Sequence, residues 1–161
     1  KIVYMKAASL QEIKKELRSL DSEAIQDLCM RLAKYKKENK ELLTYLLFKA
    51  NHEQAYIENV KEELVELFKT VPATNVYLIK KTLRKILRFT NKQIKYSGLR
   101  QTELELLIFF CTKMKEAKIP RITGTVLFNL YQQQLKKIEN SFTKLSDDLK
   151  ADYEREMRYI V

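Results

Sequence analysis

The chain has 161 residues but contains only two glycines and two prolines, the residues that most often end helices and form tight turns. An all-β fold needs many such turns, so this composition disfavours an all-β fold and favours a mostly helical one. Hydrophobic residues make up 45% of the sequence, which is enough to bury a core and disfavours a wholly disordered chain. We therefore expect an all-α fold.

Apolar residues recur at spacings of three and four along most of the chain, which is the pattern of one buried helix face. Ser9 and Glu12 form a capping box before the first of these helices, and Gly98 fits the position just past the end of a later one. Pro72 and Pro120 mark further breaks. These signals predict seven to eight helices with short connections, which favour antiparallel neighbours.

Two further patterns predict helix starts. Asn51 with Gln54 is expected to cap one helix, and Thr102 with Glu105 is expected to cap another as a second capping box. The helix that follows Thr102 is apolar around much of its circumference, so we expect it at the centre of the core.

No linker separates two regions of different composition, so we expect a single all-helical domain over residues 1–161. Similar Lys-rich helical segments begin at Ile13, Val60 and Ile79, but the intervals between them are unequal. The sequence therefore leaves two architectures open. One is an irregular bundle, and the other is a short HEAT-like or armadillo-like helical stack.

The positive charge is concentrated in one segment. Residues 67–102 carry nine basic and no acidic side chains, whereas the whole chain has a net charge of +10. Five of these cations recur at spacings of four and three from Lys81 to Lys95, so a helix places them along one side over about 21 Å. The predicted anion-binding residues are Lys80, Lys81, Arg84, Lys85, Arg88, Lys92 and Lys95.

We interpret this basic helix, at about residues 75–96, as a binding surface for a polyanion. The most direct partner is the backbone of nucleic acid, bound without strong sequence specificity. Tyr96 lies beside a helix end, and it is the ring that we expect to be exposed and to stack on a base. A second hypothesis is a protein-interaction scaffold that binds an acidic protein partner through apolar grooves between helices.

Two interpretations without a partner remain open for the same charge. The acidic side chains between Glu58 and Glu66 precede the basic helix, and an antiparallel neighbour would place them beside its cations. Alternatively, the charge serves only to keep the protein soluble.

The sequence lacks the motifs of most enzymes. His52 is the only histidine, and Cys29 and Cys111 lie in apolar helical patterns, so the four ligands of a structural zinc site are not present. The two glycines are isolated and form no phosphate-binding loop. We therefore expect no enzyme activity, no catalytic residue, no metal, no cofactor and no small-molecule substrate. No apolar run reaches the roughly 20 residues of a membrane span, and we expect a cytoplasmic protein.

Overall fold

The structure is a computed structural model of the chain, and it describes residues 6–119 and 125–161. The described residues form eight α-helices and one short 3₁₀ helix, and no strand is found among them. The predicted all-α class and number of helices are confirmed. The helices are α1 (Leu10–Ser19), α2 (Ser22–Tyr35), α3 (Lys37–Phe48), α4 (Glu53–Lys69), α5 (Val76–Ser97), α6 (Arg100–Glu116), α7 (Val126–Phe142) and α8 (Asp147–Ile160), with the 3₁₀ helix at Ala50–His52.

The chain divides into two compact units, Lys1–Thr44 and Tyr45–Val161, and the division falls within α3. Compactness alone does not test whether either unit folds independently, so the single domain stays a prediction. The predicted break at Pro120 lies outside the described residues.

In the first unit, α1 and α2 begin at side-chain caps. The Ser9 hydroxyl accepts the backbone N–H of Glu12 at 3.3 Å, and the Glu12 carboxylate accepts the backbone N–H of Ser9 at 2.7 Å. The predicted capping box is therefore confirmed. Asp21 caps α2 by accepting the backbone N–H of Ala24 at 2.8 Å. Despite these well-formed helices, no residue between positions 6 and 44 is fully buried.

In the second unit, the core is centred on α6. This helix contacts α4, α5, α7 and α8, as its apolar circumference predicts. Phe110 lies on α6 with no exposed surface, and its ring packs edge to face with that of Phe68 of α4 at a centroid distance of 5.4 Å. The side chains of α6 that are buried are Thr102, Leu104, Leu106, Leu107, Ile108, Phe110, Cys111 and Met114.

Helix α5 is held in the second unit by one apolar side and by defined ends. Leu83, Ile86 and Thr90 are buried on that side. The Asn75 side chain accepts the backbone N–H of Leu78 at 3.2 Å and so caps the N-terminus. Gly98 ends the helix as predicted, with a φ of 67° that favours glycine over any residue with a Cβ.

The carboxylate of Glu53 joins three helix ends in this unit. It accepts hydrogen bonds from the hydroxyls of Tyr45 on α3 at 2.6 Å, Ser97 on α5 at 2.5 Å and Thr102 on α6 at 2.5 Å. Hydrogen bonds to a charged acceptor are among the stronger polar contacts in proteins, so Glu53 fixes the C-terminal end of α5 against its neighbours.

Two predicted caps are wrong, and Glu53 explains one of them. Thr102 lies inside α6, which begins two residues earlier, and its hydroxyl donates to Glu53 instead of capping the helix. Asn51 lies within the 3₁₀ helix, and α4 follows His52 without any side-chain cap. Local spacing identifies a residue able to cap, but a distant carboxylate or a tighter local turn decides its partner.

Candidate anion-binding surface

All seven predicted cations lie on one side of α5. At about 100° per residue they fall within an arc of about 140°, opposite the buried residues Leu83, Ile86 and Thr90. The helix therefore has one apolar side that packs and one basic side that faces outward. Lys80 and Lys92 are half-buried and the other five are exposed. We call this side the basic face; it comprises Lys80, Lys81, Arg84, Lys85, Arg88, Lys92 and Lys95.

Six residues of the basic face have no carboxylate partner. In the described part of the chain, no ion pair or hydrogen bond involves the side chains of Lys80, Lys81, Arg84, Lys85, Arg88 or Lys95. Among the described residues, these cations therefore lie close to one another with no carboxylate within ion-pair distance.

Two acidic residues of α4 pair with lysines of the same helix. Glu58 pairs with Lys61 at 2.9 Å, and Glu66 pairs with Lys69 at 2.6 Å, both within α4 itself. Lys61 also reaches Glu105 of α6 at 3.1 Å. The interpretation in which the acids between Glu58 and Glu66 neutralise the basic helix is therefore not supported. Neither Glu62 nor Glu63 forms an ion pair with α5 in the described part of the chain.

The consequence is a concentrated positive potential along α5. Like charges at spacings of three and four destabilise a helix by a few tenths of a kcal/mol per pair, and no acid in α5 offsets them. Clustered charges of one sign raise the local concentration of counter-ions and of oppositely charged ligands. The basic face is thus suited to attract an extended anion along its length of about 21 Å.

An open groove lies on the basic face near the start of α5. It has a volume of about 440 Å³, and its lining includes Tyr77, Lys80, Lys81, Arg84 and Arg88, all from α5. The groove combines an aromatic ring, aliphatic stems and charged ends within three to four helix turns. It therefore offers apolar and cationic contacts to the same ligand.

The exposed ring of α5 is Tyr77, and the predicted exposure of Tyr96 is wrong. Tyr77 is 69% exposed, whereas Tyr96 is half-buried and packs against the core. The helical angle could have identified Tyr77 as the exposed ring. Tyr77 is on the same side as Arg84 and Arg88, while Tyr96 lies toward the edge of the apolar side. Stacking by Tyr96 stays a prediction.

The remaining reactive side chains form no site in the described residues. His52 is exposed, and within residues 6–119 and 125–161 no group of three or more His, Cys, Asp or Glu side chains is arranged to hold a metal ion. Burial raises the pKa of the Cys111 thiol to about 12, so this thiol is not activated as a nucleophile. No described helix combines the length and the apolar character that crossing a bilayer requires.

Comparison with known proteins does not assign this surface. No family model, curated protein or solved structure matches the chain. The function must therefore be argued from the chemistry of the side chains themselves, above all those of α5.

Proposed function

We propose that the protein is a non-catalytic binding module whose basic face engages the phosphate backbone of nucleic acid without strong sequence specificity. One observation carries this proposal. Six cations on one side of a single helix have no carboxylate partner in the described part of the chain. Binding a polyanion would relieve their mutual repulsion and would release the counter-ions held on both partners.

The spacing of the basic face suits a nucleic-acid strand. Phosphates follow one another at about 3.4 Å along one strand of a duplex, so a surface of about 21 Å spans roughly six of them. Lys and Arg bind phosphate oxygens irrespective of the base, and such contacts position a protein without reading a sequence. We therefore expect affinity to depend strongly on salt and weakly on base composition.

The test measures the affinity of the full chain for a labelled duplex by fluorescence anisotropy at several salt concentrations. With about five phosphate contacts, log affinity is expected to fall against log salt with a slope of roughly −4.5. The variant Lys85→Glu with Arg88→Glu should lose at least about tenfold in affinity and flatten the slope by roughly 1.8, because two contacts are removed. Both side chains are exposed, so the reversal is not expected to disturb the core.

A matched control changes the net charge by the same amount away from α5. Lys136 and Lys137 are exposed on α7, and reversing both to Glu should leave most of the affinity in place. Equal losses in the two double variants would show that only net charge matters and would overturn the assignment to the basic face. Absence of binding at low salt would overturn the proposed function itself.

A second candidate function is a protein-interaction scaffold that binds an acidic protein partner. The observation that favours it is the exposure of the apolar rows on α1 and α2, where Leu10 is 85% exposed and Leu32 is 60% exposed. In that case the charge steers the encounter and the apolar side chains hold the complex. The Lys85→Glu and Arg88→Glu reversal would then slow association and leave dissociation nearly unchanged, whereas it would weaken nucleic-acid binding by at least about tenfold.

We propose, for either candidate function, that the protein acts in the cytoplasm. The thiols of Cys29 and Cys111 are free, which suits a reducing compartment. Fractionation of cells that express the chain, with detection of the protein in the cytosolic fraction, tests this part of the proposal.

A further inference from the structure

Tyr77 lies in the first turn of α5 with its ring directed away from the core. The ring is 69% exposed and lines the groove of the basic face together with Lys80 and Lys81. An aromatic ring that stays in water forgoes the favourable free energy of burial, so it is available to pack on a ligand.

The position of Tyr77 relative to the cations is regular. At about 100° per residue, Tyr77, Arg84 and Arg88 lie within about 40° of one another around the helix axis. Lys80 and Lys81 follow the ring by one helix turn, Arg84 follows by two turns and Arg88 by three. The ring therefore stands at one end of a line of positive charges.

This arrangement combines two kinds of recognition. The cations bind phosphate, and the flat ring stacks on a planar aromatic group. A nucleic-acid strand carries both groups in alternation, whereas an acidic protein surface would use the charges and leave the ring without a matching partner. In a duplex the base faces are covered by neighbouring base pairs, so stacking on a protein ring requires bases that are unpaired.

We propose that the groove at the start of α5 binds single-stranded nucleic acid, with Tyr77 stacked on one base and Lys80, Lys81, Arg84 and Arg88 on the adjoining phosphates. This inference rests on the proposed function and narrows its ligand to unpaired strands. Tyr77 acts as a sequence-tolerant platform, since every base presents an aromatic face.

The expected effects differ between ring and charge variants. Tyr77→Ala should weaken binding to a single strand by about fivefold to about 150-fold, the equivalent of one stacked base, and should change duplex binding by less than about twofold. Its salt slope should equal that of the unchanged protein, because the ring neutralises no phosphate. Tyr77→Phe keeps the ring and should bind within about twofold of the unchanged protein.

The experiment uses the full chain and two labelled probes of equal length. One probe is an oligothymidine of about 12 nucleotides, within the site sizes known for single-strand binders, and the other is a blunt duplex. Anisotropy titrations give the affinity for each probe over a range of salt concentrations. Tyr159→Ala removes an exposed ring from α8 and serves as the matched control, while thermal unfolding verifies that each variant is folded.

The outcomes separate this inference from the proposed function. If the protein prefers the oligothymidine, and if Tyr77→Ala loses affinity for it while Tyr159→Ala does not, the single-strand inference and the proposed function are both supported. Duplex binding that equals or exceeds single-strand binding, or an unchanged affinity in Tyr77→Ala, overturns the single-strand inference and leaves the phosphate-binding function standing. If neither probe binds at low salt, both the inference and the proposed function fall.

Discussion

The units Lys1–Thr44 and Tyr45–Val161 are both built from amphipathic helices, but they differ completely in burial. In the first unit, α1 carries an apolar row at helical spacing, and none of its residues is buried. In the second unit, α6 is apolar on several sides, and eight of its residues are buried. Periodicity therefore determines where a helix forms, whereas neighbouring helices determine whether its apolar side is covered.

Helix α5 has one side that neighbouring helices cover and one side that they leave exposed. Its apolar side contributes Leu83 and Ile86 to the core of the second unit, while five of the seven cations of its basic face are exposed. A helix that is firmly held on one side presents its other side with little freedom to rearrange. The basic face is therefore a preorganised surface, in contrast to a set of scattered surface charges.

The largest expected difference between the two units is in the stability cost of truncating an apolar side chain. Phe110→Ala should lower the free energy of unfolding by about 3 to 5 kcal/mol, because the ring is fully buried on α6. The matched change Leu17→Ala on α1 should cost less than about 1 kcal/mol, since Leu17 is only partly covered. Urea denaturation followed by circular dichroism measures both. An equal cost for Leu17→Ala would show that the row on α1 is covered in solution.

The next effect concerns the carboxylate that joins three helix ends. Glu53→Ala should cost about 2 to 3 kcal/mol, because the hydroxyls of Tyr45, Ser97 and Thr102 lose a charged acceptor. Glu62 lies on the exposed side of the same helix, and Glu62→Ala should change stability by less than about 0.5 kcal/mol. The same denaturation experiment applies. Similar small costs for both variants would mean that the Glu53 contacts add nothing to the second unit.

A smaller effect is expected at alkaline pH. Burial raises the pKa of Tyr131 to about 12, and its hydroxyl donates to the backbone oxygen of Ile160 at 2.5 Å. The folded state disfavours tyrosinate. The contribution of Tyr131 to the free energy of unfolding is therefore fully present below pH 10 and decreases as pH rises toward 12. The loss from Tyr131 alone should be about 1 kcal/mol at pH 11.

Absorbance at 295 nm reports this ionisation directly. Burial likewise raises the pKa of Tyr45, Tyr56 and Tyr153 in the same unit. We expect these rings to ionise later than ordinary tyrosines and in step with unfolding. Ionisation of all nine tyrosines near pH 10, with the helical signal intact, would contradict the burial of the second unit.

The smallest effect compares two ion pairs. Lys61 and Glu105 join α4 to α6, and their side chains are only 22% and 10% exposed. Lys37 and Glu41 form a pair within α3 at 3.6 Å, and the Lys37 side chain is 83% exposed. Double-mutant cycles should give a coupling of about 1 kcal/mol for the first pair and about 0.3 kcal/mol for the second. Equal coupling energies would contradict the expectation that the partly buried pair contributes more to stability than the exposed one.

The candidate site could be predicted in part. The run of cations without acids identified the basic face, because charge spacing on a helix depends only on sequence and helix geometry. The exposed ring was not identified, because Tyr96 was selected for its position beside a helix end, whereas the helical angle places Tyr77 among the cations. The cap predicted at Thr102 was wrong because its hydroxyl donates to Glu53, which lies 49 positions earlier in the chain.

The all-α class, the number of helices, the central position of α6 and the charge of α5 could all be predicted from the sequence. These properties follow from composition, from local hydrogen bonding and from the helical period, which act over a few residues. Packing between helices determines which apolar rows are covered and which hydroxyls donate to Glu53. Those outcomes depend on neighbours distant in the chain, because burial and hydrogen-bond partners are properties of packed helices and not of any single one.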